Sequence, residues 1–257
     1  MKRVLTALAL IPIVAWVVLA ANHWIFFAVL AVVACLCYRE YNTIAGGYGF
    51  GEPGIVGYGA GLCILAWWDI PWLVIIGFTV AALVMVMRMP DLSKALPRAA
   101  LLITGVIYVF GCWKCARPLR EINPHWLMYG LALNWIGDIG AYYVGRPFGK
   151  HKLAPRVSPQ KSWEGAVASV VVSVAFGVAY LTRFIPTVPL TTAIGLTALA
   201  NIAGQIGDLA ESAIKRGANV KDSGGILPGH GGFLDRVDST LFALPVIYAW
   251  LLIFPRT

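Results

Sequence analysis

Three stripes of polar residues could do chemistry in a chain that otherwise avoids charge. Asp208, Glu211, Ser212 and Lys215 fall at i, i+3, i+4 and i+7, a spacing that lines one face of a helix. Asn134, Asp138 and Tyr142 repeat at i, i+4 and i+8, and Asp235 and Asp238 stand three apart at the mouth of the last apolar run. An aspartate inside an apolar span costs roughly 2.5 to 3.5 kcal/mol on insertion scales, so acids kept there need a metal ion or a lysine to offset the cost. Interhelical hydrogen bonds would account for one such stripe. Three of them, flanking two basic loops, point to a site.

The first loop joins the acids directly. Between Lys215 and Arg236 it holds Arg216, Lys221, Asp222, His230 and five glycines from Gly224 to Gly232, with Gly229 and Gly231 among them. Glycines let backbone N–H groups approach phosphate oxygens, and lysine and arginine supply charge. No Gly-x-x-x-x-Gly-Lys-Ser/Thr occurs, so this is not a Walker A loop. The second loop, residues 146–163, carries Arg146, Lys150, Lys152, Arg156 and Lys161 and leads into Ser162-Trp163-Glu164-Gly165. Ser162 is placed to cap the next helix, whose N-terminus could hold an anion.

These loops need a scaffold, and the composition says which kind. Of 257 residues, 59% are hydrophobic and 12% charged, with a net charge of +8. A soluble domain carries about 25% charged residues. Disorder is excluded by the same figures. A nucleic-acid partner is excluded because the basic residues sit in short loops between apolar runs, not in a stripe. The expected fold is all-α, a polytopic transmembrane helical bundle of about nine spans (eight to ten). The apolar runs are Val4–Ala21, Trp24–Tyr38, Gly54–Trp68, Pro71–Met87, Ala99–Trp113, Trp126–Val144, Gly165–Leu181, Thr191–Ala213 and Val237–Phe254. The first is too long for a signal-peptide core and is expected to remain as a helix.

With a cytoplasmic N-terminus, fifteen lysines and arginines face inward and five, including Lys114, Arg117 and Arg120, face outward. Both polar loops then lie on the cytoplasmic side. Cys112-x-x-Cys115 lacks the second pair or histidine that a zinc site requires. The chain is expected to form a single integral membrane domain, 1–257, with residues 1–125 as scaffold and 126–257 carrying the chemistry.

The stretch Ser212-x-x-Lys215-Arg216-x-x-x-x-Lys221-Asp222-x-Gly224-x-x-Leu227-Pro228-Gly229-His230-Gly231-Gly232-x-x-Asp235-Arg236-x-Asp238 resembles the signature of phosphatidate cytidylyltransferases, the CDP-diacylglycerol synthases. Asp138-x-x-Ala141-Tyr142-x-x-Gly145 and Ser158-Pro159-x-Lys161-Ser162-x-Glu164-Gly165 are similar to that family's other elements, with Gln160 where many members carry lysine. The resemblance runs from about Asn134 to the C-terminus.

It implies transfer of CMP from CTP to phosphatidate at a bacterial cytoplasmic (inner) membrane, with Mg²⁺ as cofactor and a second cation left open. Asp208 and Asp235 are expected to hold the metal, with Asp238 and Asp138 close by. Lys161, Lys215, Arg216, Lys221 and Arg236 would neutralise phosphates. Asp222 joins the catalytic set. Tyr142, Ser162, Glu164, Glu211, Ser212, Gly229, Gly231 and Gly232 are expected to contact substrate. A phosphate monoester is already mostly ionised near neutral pH, so no strong general base is required. His230 would donate to the leaving pyrophosphate or pack its turn. Another CTP-dependent lipid transferase and an anion transporter are the alternative readings, and a homodimer is left open.

Overall fold

The computed structural model describes residues 2–67, 72–226 and 231–254. Every apolar run is helical over most of its described residues. In a bilayer only internal hydrogen bonds can satisfy the backbone, and a helix supplies them all. In chain order the helices are α1 (Lys2–Leu19), α2 (His23–Ala45), α3 (Ile55–Ala66), α4 (Trp72–Val86) and α5 (Ala95–Gly105). A π turn, Val106–Gly111, carries α5 on into the short α6 (Cys112–Lys114) and α7 (Ala116–Ile122). Then come α8 (Pro124–Phe148), strands β1 (Lys152–Ala154) and β2 (Ser158–Ser162), α9 (Trp163–Phe184), α10 (Leu190–Gly217) and α11 (Asp238–Ile253).

One expectation needs correction, and another is met only in part. The fold is not purely α: β1 and β2 pair antiparallel, Lys152 opposite Ser162 and Ala154 opposite Ser158. Pro155 and Pro159 oppose a helix between α8 and α9, so the backbone groups pair across a hairpin instead. The span count of about nine is not reached on length and apolarity. Among the described residues four helical stretches meet both: His23–Phe50, Leu92–Ile122, Trp163–Phe184 and Leu190–Gly217. Leu10–Leu19, Ile55–Ala66, Val74–Val86 and Asp238–Ile253 are apolar but shorter. The twelve residues of α3 reach roughly 18 Å at 1.5 Å per residue, against a hydrocarbon core of about 30 Å. Large apolar side chains such as Trp24, Ile55, Val171 and Ile253 face outward, as expected where part of the solvent is lipid.

The chain divides into two compact units. The first comprises residues 1–4, 23–114 and 214–235. Its core gathers the fully buried Tyr38, Tyr41 and Phe110, with Tyr38 and Phe110 ring centroids 5.3 Å apart. Gly61 admits Phe110: a methyl group there would lie 2.0 Å from that ring. The end of α10 closes this unit with Asn219 in the left-handed conformation (φ 57°), while the Val220 N–H reaches the Lys215 carbonyl at 3.0 Å. The Tyr48 hydroxyl donates to another terminal carbonyl, that of Ile214, at 2.8 Å.

The second unit comprises residues 5–22, 115–213 and 236–257. Asn123 caps α8 by accepting from the His125 N–H at 2.9 Å, with Pro124 at the first helical position. Ser162 caps α9 as its sequence position suggests, accepting from the Gly165 N–H at 3.2 Å. Helices α8 and α9 meet along small residues: a methyl group on Gly140 would lie 3.0 Å from Val172, and one on Gly145 3.3 Å from the Gly165 Cα. Arg120 turns to the end of α1, donating to the Val18 carbonyl at 2.7 Å and to the Ala21 carbonyl.

Candidate functional site

In the second unit, β2 ends beside the acidic face of α10. Lys161 at the end of the hairpin pairs with Asp208 at 2.5 Å, and both side chains are about 30% exposed or less. One helical turn on, the Ser212 hydroxyl donates to the same carboxylate at 3.4 Å. Asp138 on α8 lies in the electrostatic field of Asp208, Lys161 and Arg236. Buried Asp238, at the start of α11, lies in the field of Asp208, Glu211 and Asp138. Its Oδ1 accepts the Ser239 N–H at 2.6 Å. Four carboxylates from three helices thus share one neighbourhood with Lys161 and Arg236 as counter-charges.

Other members of the expected set make contacts of their own. Tyr142 is exposed and accepts from Arg146 at 2.5 Å, with the guanidinium 5.7 Å from its ring centroid. Glu164 braces the hairpin: it accepts from His151 Nδ1 at 2.7 Å and from the His151 backbone N–H at 3.2 Å. Ser162 is buried and fills the space beside Gly149 and Gly145 in addition to capping α9.

Sequence reasoning missed how the acidic face of α10 continues. Asn201 and Gln205 precede Asp208 by seven and three residues, extending the same stripe. Asn201 Nδ2 donates to Ser169 at 3.1 Å and Ser173 at 2.9 Å, and Gln205 donates to the Asn201 side-chain oxygen at 2.7 Å. Gly137 leaves room for this ladder, since a methyl group there would lie 2.5 Å from Asn201 Nδ2. The i, i+4, i+7 spacing was the signal that could have found it.

In the first unit the glycine-rich loop closes on its own carboxylates. Lys215 donates to Asp235 Oδ1. The Ser223 N–H reaches both Asp235 oxygens, at 3.2 and 3.0 Å, and the Gly232 N–H reaches Oδ2 at 2.9 Å. Burial alone would push the Asp235 carboxyl up. The Lys215 and Gly232 hydrogen bonds, the Lys215 charge and the Ser223 N–H outweigh it and hold the group below the usual carboxylate range. Arg216 donates to the Val220 carbonyl at 3.0 Å, while Lys221 and Asp222 are exposed. His230 and Gly229 lie outside the described residues.

A residue that sequence reasoning missed in this unit is Glu40, near the end of α2 and within residues 1–125, where only scaffold is expected. It is 3% exposed. Its Oε1 accepts the Phe233 N–H at 2.9 Å, and its Oε2 accepts the Leu234 N–H at 2.8 Å and the Ser223 hydroxyl at 2.7 Å. Two of the glycines answer to it. A methyl group on Gly224 would lie 2.6 Å from the Glu40 carboxylate, and one on Gly232 would lie 2.5 Å from it and 1.9 Å from the Ser223 hydroxyl. Gly231 has φ +78°, the left-handed region that favours glycine. Close approach to the protein's own carboxylate, rather than to a ligand alone, therefore requires glycine at 224 and 232.

The chemistry of the acids in the second unit suits a hard, oxygen-preferring divalent cation. Among the described residues, no three histidine, cysteine, aspartate or glutamate side chains converge into a group that could hold a metal by themselves. Asp235 has both oxygens occupied by N–H donors and Lys215.

Residues 1–254 match the model of the cytidylyltransferase family. A phosphatidate cytidylyltransferase of Bacillus subtilis (strain 168) is 40% identical over 154 residues, 58% of this chain and 57% of the relative. One of Staphylococcus aureus (strain COL) is 40% identical over 149 residues with the same shares covered. One of Staphylococcus saprophyticus is 38% identical over 149 residues. The chain spans a little over half the length of these curated relatives, as their 57% coverage states.

Proposed function

Since the chain belongs to the cytidylyltransferase family, we propose that it transfers CMP from CTP to phosphatidate, giving CDP-diacylglycerol and pyrophosphate. The names of its relatives support the acceptor, and the Lys161–Asp208 pair carries the reading. It brings the cation of one signature element onto the acid of another, among carboxylates that a nucleotide–metal complex would need.

In this reaction a phosphate oxygen of phosphatidate attacks the α-phosphorus of CTP. One P–O bond forms there, and the bond from the α-phosphorus to the bridging oxygen breaks, leaving pyrophosphate. The attacking phosphate has a second pKa of about 6, so it arrives largely ionised and needs no protein base. The protein's share is positioning and charge neutralisation. Lys161 and Arg236 meet phosphate oxygens. Asp208, with Asp138 and Asp238 in its neighbourhood, would hold Mg²⁺ together with the substrate, since among the described residues no three such side chains converge to hold it by themselves. Such an ion would supply neutralisation of phosphate charge. Asp235 is assigned a different part: with its oxygens filled, it fixes Lys215 and the glycine loop.

The nine apolar helical runs are proposed to cross or enter the bacterial cytoplasmic membrane, with the polar loops on the side where CTP is found. The bias of fifteen inward against five outward basic residues supports that orientation. Phosphatidate would enter laterally from the bilayer. Purified chain supplied with labelled CTP, Mg²⁺ and phosphatidate should give labelled CDP-lipid. Folded protein that gives none contradicts the proposal.

A further inference from the structure

We propose that Glu40 is a positioning residue for the glycine-rich loop, tying the two arms of that loop together from the end of α2. This rests on the transfer reading for its consequence, though not for its geometry. The arms are residues 222–224 on one side and 231–235 on the other. Ser223 on the first arm and Phe233 and Leu234 on the second all donate to this one buried carboxylate, at 2.7 to 2.9 Å. They reach it over 183, 193 and 194 residues of chain, so no local turn preference can replace it.

Ser223 links Glu40 to the second clamp. Its hydroxyl donates to Glu40 and accepts the Asp235 N–H at 3.3 Å, while its own N–H donates to the Asp235 carboxylate. Glu40, Ser223, Asp235 and Lys215 therefore form one continuous network within the first unit. Buried polar groups stay buried only when paired, and an N–H donor left without an acceptor is costly. The signature residues Lys221 and Asp222 leave this network on the first arm, so their direction depends on it.

Glutamine tests this well because it keeps the shape of Glu40 but offers one acceptor and one donor where the carboxylate offers two acceptors. In full-length, detergent-solubilised Glu40→Gln, the Phe233 and Leu234 amides should exchange hydrogen at least tenfold faster, while α8 and α9 exchange as in the wild type. The KM for CTP should rise at least tenfold with kcat changed less than threefold. Glu40→Asp, which keeps both acceptors on a shorter stem, should recover part of each effect. Unchanged exchange at 233 and 234 overturns the proposal. So does faster exchange spread over all helices, or an unchanged KM alongside faster exchange, because each leaves Glu40 a general support. If the wild-type chain makes no CDP-lipid, the transfer reading fails instead, and the exchange arm still decides whether Glu40 holds the loop.

Discussion

Lys161, the penultimate residue of β2, forms an ion pair with Asp208 in the middle of α10 at 2.5 Å. A partly exposed pair of this kind contributes about 0–1 kcal/mol to stability. Its cost in sequence terms, an acid deep in an apolar helix, is greater than that return, and the proposed transfer reaction gives a reason to keep it.

Replacing Lys161 with glutamine should therefore separate chemistry from folding. We expect kcat/KM for CTP to fall at least 100-fold, equivalent to about 2.7 kcal/mol of transition-state stabilisation. The thermal midpoint should move by no more than the few degrees that about 1 kcal/mol produces. Steady-state kinetics and a melt on the same preparation provide the check.

Lys215 and Asp235 should behave differently, because their side chains are only 9% and 8% exposed. Removing one partner of a buried pair costs about 3–5 kcal/mol. Asp235→Asn should accordingly lower both the melting temperature and turnover. The pH dependence has a definite sign. A carboxyl held below its ordinary value binds fewer protons folded than unfolded, so stability rises with pH in that window. The contribution of Asp235 is fully present above its unfolded value of about 3.9 and is lost as pH falls through the lower folded value. Wild-type and variant melts should converge below about pH 4.

The glycine loop offers a comparison between two adjacent residues. A methyl group on Gly225 meets nothing within 4 Å, whereas one on Gly224 would lie 2.6 Å from Glu40. Gly225→Ala should retain activity within about twofold, a change of roughly 0.4 kcal/mol. Gly224→Ala should lose at least tenfold, about 1.4 kcal/mol. Equal activities would show that the close approach to Glu40 has no consequence for the reaction.

Arg120 tests the scaffold alone. Its guanidinium donates to two carbonyls at the end of α1. Hydrogen bonds from a charged donor contribute about 1.5–3 kcal/mol. Arg120→Ala should destabilise by an amount in that range, read as a lower melting temperature, while KM for CTP stays unchanged.

The sequence showed the acidic face of α10 because helical spacing is written in order: Asp208, Glu211 and Ser212 need only a period of 3.6 to be aligned. It showed the helical runs for the same reason, and Ser162 as a cap from its place before an apolar stretch. Glu40 escaped because nothing within a few residues of it hints at its partners. Its three donors lie more than 180 residues away. The β1–β2 hairpin escaped because its residues carry no alternation of apolar and polar types, and a short basic loop needs none. The glycines were visible as glycines, but their reason was not: at 224 and 232 the space is taken by a side chain from another helix.

The proposed transfer of CMP to phosphatidate rests on the acids around Asp208. The most direct measurement supplies purified wild-type chain and its Asp208→Asn variant with labelled CTP, phosphatidate and Mg²⁺, following labelled CDP-diacylglycerol and pyrophosphate together. The wild type should give equal amounts of both products and lose both on chelating Mg²⁺, and the folded variant should be at least 1000-fold slower, about 4 kcal/mol. Product formation by Asp208→Asn at the wild-type rate, or none from folded wild-type protein, would overturn the proposed role of these acids.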